Sequence, residues 1–98
     1  MSIYTSDIIG QVIGEPEIRY TFNKGLTKPV LHFIVKVKEE KHQVVAMGNL
    51  CAEAQDKLQP GMYVSVYGTP RLTKGRYTLE KYILALKIKY DQPTGESV

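Results

Sequence analysis

Cations set beside flat rings are the feature of this 98-residue sequence that could do chemistry. Tyr20, Tyr77 and Tyr82 sit in or next to basic segments that hold Arg19, Lys24, Lys28, Lys36, Lys38, Arg71, Lys74 and Arg76. Such a set makes and breaks no bonds. Ammonium and guanidinium groups follow a chain of phosphates, and tyrosine rings offer faces on which bases stack. The charge is unevenly spread. From Arg19 to Met47 there are six basic residues and two acids, and from Arg71 to Tyr90 six more against Glu80 alone, within a net charge of +3. Basic strands between acidic ends fit a groove for a polyanion. The plainer alternative is a solvated lysine face that keeps sheet edges from pairing.

No catalytic set can be assembled beside these cations. His32 and His42 are the only imidazoles and Cys51 the only thiol, with no H-x-x-x-H or C-x-x-C spacing to hold zinc. Neither a G-x-S-x-G elbow nor a phosphate-cradling glycine loop is present. Cys51, beside an apolar helical stripe, is expected as a small core residue rather than a nucleophile. The reading is therefore a binding protein, not an enzyme, without cofactor or metal.

The elements that must position the cations are strands. Ile3–Gly14 reads as a first strand bent at Gly10, and Glu15–Thr27 as a polar connection with a tight turn at Asn23-Lys24-Gly25. Pro29 and Val30 open a second strand, in which Phe33, Val35 and Val37 alternate with Ile34, Lys36 and Lys38. A third runs from His42 to Met47. Asn49 is the expected N-cap of a single helix carrying Leu50, Ala54 and Leu58 on one stripe and stopped by Pro60-Gly61. Met62–Gly68 is a fourth strand, limited by Pro70, with Tyr63 and Tyr67 opposite Val64 and Val66. A basic hairpin, Arg71–Arg76, leads into the last strand, Tyr77–Tyr90. Residues 1–90 make one domain and 91–98 a frayed tail. Three strands, one helix and two strands is the order of a five-stranded OB-fold barrel with its helix between the third and fourth strands, an all-β class. An SH3-like barrel is the nearest rival.

Four segments in order resemble the bacterial single-stranded DNA-binding protein family. They are G-x-x-x-x-x-P-E-x-R-Y-T from Gly10 to Thr21, VLHFIVKV from Val30 to Val37, the stretch from Val44 to Leu72, and Arg76-Tyr77-Thr78 with Glu80. The resemblance implies an OB-fold that binds single-stranded DNA as a homo-oligomer, a tetramer ahead of a dimer. It implies binding roles for Arg19, Tyr20, Arg71, Lys74, Arg76 and Tyr77. Lys36 and Lys38 would lie on the outer face of the second strand. Met47 stands where the family usually puts a stacking aromatic. Lys24, Lys28 and Tyr82 extend the same expected surface.

The family's tryptophans are absent from this sequence, its two strand-wrapping loops are shortened, and its acidic, phenylalanine-ended tip is not found. These departures point to a compact, tail-less member, with primosomal replication protein N as a relative. The expected role is sequence-independent single-stranded DNA binding in replication, recombination or repair, with replication proteins as further partners. The alternative is a protein–protein adaptor with weak nucleic-acid binding, and an RNA-binding barrel of the cold-shock sort ranks below both. The single cysteine and the absence of a long apolar run fit a reduced cytoplasmic compartment and no membrane. The apolar first strand, Ile3–Val12, would be an open edge in a monomer, and pairing it with a second copy would close it.

Overall fold

A computed structural model describes residues 5–74 and 79–91. Five strands and one helix follow in order: β1 Ser6–Asn23, β2 Leu26–Val37, β3 Glu40–Met47, α1 Asn49–Lys57, β4 Tyr63–Lys74 and β5 Leu79–Asp91. β1 pairs with both β2 and β4, β2 with β3, β4 with β5, and β3 with β5 in parallel, so the sheet closes on itself as an OB-fold barrel.

The interior is filled by alternate residues of every strand. Val12, Phe33, Val35, Val44, Val64, Val66, Ile83 and Ile88 all turn inward. Strand side chains point to opposite faces in turn, so each inward residue leaves its neighbours on the outer wall. α1 adds Cys51 and Ala54, with Leu58 just beyond its end, and packs against β2, β3 and β5. Cys51 is a buried core residue, as expected of it.

Several boundaries differ from the sequence reading. β1 does not end near Gly14. It bulges between Ile13 and Glu17, where Gly14 takes φ +75, and then runs on to Asn23. Pro16 sits in the bulge, where a missing N–H removes no ladder bond. The bend expected at Gly10 is really a close approach: a Cβ there would lie 2.3 Å from the Lys36 carbonyl oxygen. The tight turn is where it was expected. Lys24 and Gly25, both at positive φ, join Asn23 to its partner Leu26.

β4 passes through Pro70 to Lys74, because beyond Gly68 it is paired with β5 and no longer with β1. Asn49 makes no side-chain cap. Gly48 stands at the N-cap, and its carbonyl accepts from the Cys51 and Ala52 amides at 3.1 and 3.2 Å. The helix ends at Lys57, before Pro60-Gly61, which instead carry the chain back against β1. There the Gly61 amide donates to the Val12 carbonyl at 2.8 Å.

Barrel closure also removes the open edge expected of the first strand, since Ser6–Gln11 is hydrogen-bonded to β4. Asp91 belongs to β5, and the rest of the expected tail lies outside the described residues.

Candidate nucleic-acid interface

Register turns the outer wall into rows of side chains. Val30, His32, Ile34 and Lys36 share the outer side of β2, though Val30 itself is buried. In β1 they oppose Arg19, Glu17, Ile13 and Gln11. In β3 they oppose Met47, Val45, Gln43 and Lys41. Val44 pairs with Ile83, both inward, so Gln43 and Tyr82 sit together on the outer side. Tyr82 opposes Arg71 across β4. Followed around the closed barrel in the order β1–β2–β3–β5–β4, the outer wall carries Arg19 on β1, Lys36 on β2, Met47 and Lys41 on β3, Tyr82 on β5 and Arg71 on β4. Between the β1 bulge and β2–β3 this face is concave, a hollow of about 320 Å³ bordered by Glu15, Glu17, Arg19, His32, Ile34 and Gln43.

Charge on this face is only partly matched. Arg19 grips Glu17: Nη2 lies 2.8 Å from Oε1, and Nε donates to the same oxygen at 2.9 Å. Both side chains are more than half exposed, so the pair adds little to stability. Half-buried His32 has its pKa lowered, first by burial and then by the Arg19 guanidinium, against an opposing pull from Glu17. Its imidazole is therefore neutral at pH 7. Lys36 directly opposes Lys41 on the same face of an antiparallel pair. Like charges so placed repel and destabilise the sheet unless an anion lies over them.

The fold has known counterparts. It is that of single-stranded DNA-binding domains. The SSB domain of a Synechococcus sp. protein superposes with a TM-score of 0.75 at 18% identity, covering 90% of this chain and 96% of its own. The second single-stranded DNA-binding protein (SSBb) of Mycobacterium smegmatis gives 0.78 at 20% identity, over 89% of this chain and 84% of that one. A small single-stranded DNA-binding protein from Streptomyces coelicolor gives 0.68 at 19%, over 93% and 95%. No protein-family model matches the sequence, and no curated protein matches it either.

The sequence-derived residues do not all converge. Arg19, Lys36, Met47, Arg71 and Tyr82 all point outward from the barrel wall. Lys28 opposes Thr21, in step with Arg19, and so prolongs that face along the β1–β2 hairpin to Lys24 at its tip. Tyr20 does not join Arg19. Successive residues of a strand point apart, so Tyr20 lies on the hairpin's opposite side. Lys74 is likewise turned away from Arg71, one strand position off in parity. Lys38, expected on the outer face of β2, instead sits in the β2–β3 turn at φ 57. Arg76 and Tyr77 lie outside the described residues.

Lys41, opposite Lys36, was not among the residues singled out from the sequence, although the sequence held the signal. A two-residue turn at Lys38-Glu39 sets Lys36 opposite Lys41 by counting alone. Phe22 was not singled out either. It is 76% exposed and shares the Tyr20 side of the hairpin.

Proposed function

We propose that this chain binds single-stranded DNA without regard to sequence, along the outer face of β2 and β3 and the two hairpins beside it. The observation that carries the reading is the Lys36–Lys41 pair, two like charges set opposite each other on the outer side of β2 and β3, with Arg19 on the neighbouring β1 and Arg71 on β4 beyond β5. A phosphate chain lying over it would turn a destabilising contact into a binding one. The β2–β3 face and the β1–β2 and β4–β5 hairpins are where OB-folds generally hold oligonucleotides. Tyr82 offers a ring on this face, and Tyr20 and Phe22 offer rings across the β1–β2 hairpin. With so few rings the grip is mainly electrostatic, since each stacked base adds only about 1–3 kcal/mol.

The same reading assigns the protein to replication, recombination or repair, and to self-association as a tetramer ahead of a dimer. Ile9, Tyr63 and Tyr67, exposed on the outer side of β1 and β4, supply the apolar surface for that association. Analytical ultracentrifugation checks it, and a clean monomer at micromolar concentration overturns it.

The binding test is fluorescence anisotropy with a labelled oligothymidine. If Lys36, Lys41 and Arg71 each neutralise one phosphate, and Arg19, already paired with Glu17, adds no net one, the slope of log K against log salt is about −2.1, roughly a twenty-fold loss between 50 and 200 mM salt. Replacing Lys36 and Lys41 by Glu should abolish most of this binding. No binding by the unaltered protein at low salt would refute the reading, and partners captured independently of nucleic acid would favour the adaptor alternative.

A further inference from the structure

The ion pair at the head of the face has a role that the track of cations does not explain. A carboxylate oxygen and a phosphate oxygen offer a guanidinium the same acceptor, and Glu17 already holds Arg19 through both Nε and Nη2. Both groups border the concavity on the outer wall, with exposures of 61% and 63%, so an incoming strand can reach either. Glu17 is fixed by register: it opposes His32 just past the β1 bulge, two residues before Arg19 and on the same side. The bulge and the pairing that follows it hold the acid where it competes.

We propose that Glu17 is an internal stand-in for phosphate, which keeps Arg19 occupied until a nucleic-acid strand displaces it and so sets the affinity of the site. The inference rests on the proposed binding face. Exchange of one oxyanion for another gains little, so Arg19 contributes less to binding than a free arginine would. The chain thereby binds loosely and releases readily at a point where it could have bound tightly.

Anisotropy titrations of the full chain with oligothymidine over a range of salt test this. Glu17→Gln should tighten binding about twofold to fivefold, the range of an exposed ion pair, and should steepen the salt slope by about 0.7, one further phosphate. Glu15→Gln removes the same charge from the same rim without contacting Arg19, and should change affinity by less and leave the slope unchanged. In an Arg19→Ala background, Glu17→Gln should lose its extra gain. The proposal is overturned if the unaltered protein binds and Glu17→Gln matches it in affinity and slope. It is equally overturned if Glu15→Gln reproduces the whole effect, or if the gain survives without Arg19. Absence of any binding by the unaltered protein is a different result, which removes the binding face itself.

Discussion

Gly10→Ala probes how the barrel closes. At Gln11, β1 is paired with Tyr63 of β4 on one side and Lys36 of β2 on the other. A Cβ on the preceding Gly10 would stand 2.3 Å from the Lys36 carbonyl oxygen and 2.9 Å from Val35 Cγ1. The valine can turn, but the carbonyl belongs to a paired strand. A carbon–oxygen contact relaxes only at about 3.3 Å, so the backbones must part by about 1 Å. β1 cannot simply retreat, because Gly10 is also in register with Val64 of β4.

Overpacking of this kind costs about 1–3 kcal/mol, and a rigid backbone neighbour puts it near the top of that range. Alanine returns about 0.4–1 kcal/mol by restricting the unfolded chain. The net expectation is a loss of about 2 kcal/mol, or about 8–16 °C in Tm for a domain this size. Gly14→Ala is the counterpart. Nothing lies within 4 Å of its Cβ position, but its φ is +75. Only the left-handed backbone is penalised there, by about 1–2 kcal/mol. Urea unfolding of both variants gives the comparison. Gly10→Ala within about 0.5 kcal/mol of the parent, a change typical of an indifferent surface site, would refute the close-approach account.

Two further substitutions test groups whose titration is shifted. The Tyr90 hydroxyl is buried without a hydrogen-bond partner, and its pKa is pushed up to about 12, first by burial and then by Glu53. Tyr90→Phe should therefore hold or raise the unfolding free energy measured in urea, by up to about 1 kcal/mol, since only an unpaired polar group is removed. It should also flatten the alkaline limb: between pH 10 and about 12 the unfolded chain loses the phenol proton while the folded one keeps it, so stability falls across that window with Tyr90 and not with Phe.

His32 works in the other direction. Its folded pKa lies below 6.5, so the unfolded chain takes up the proton first and stability falls as pH drops below that value. His32→Gln should remove this part of the acid limb, and an unchanged urea midpoint profile between about pH 7 and 5, across the ordinary histidine range, would refute the assignment.

What could be read in the sequence was local. Alternation in VLHFIVKV and MYVSVYG fixed the inward faces of β2 and β4, because period two is written into adjacent residues. The continuation of β1 past Pro16 was not legible, since Pro-Glu by itself signals a turn and only pairing with distant His32 and Leu31 keeps it extended. Closure of β1 on β4 was hidden for the same reason, which is why an edge was expected where there is none. At the site, grouping by charge brought Arg19 and Tyr20 together. The ladder separates them, and the Lys36–Lys41 opposition emerges only when the turn is counted across.

The barrel's stability and its surface chemistry are separable, which makes the binding face open to experiment. The Tyr90 hydroxyl apart, no polar or charged side chain is buried among the described residues. Lys36 stands between inward Val35 and Val37, and Lys41 and Arg71 are likewise exposed, so no cation of the face holds the core together. A core built this way gains nothing from two lysines set opposite each other. Replacing one of them with an uncharged residue should relieve repulsion and leave the fold at least as stable. A variant that lost DNA while keeping or gaining stability could not be explained by misfolding. The lysine pair would then be a feature retained against stability, as expected where the partner that neutralises it is bound from outside.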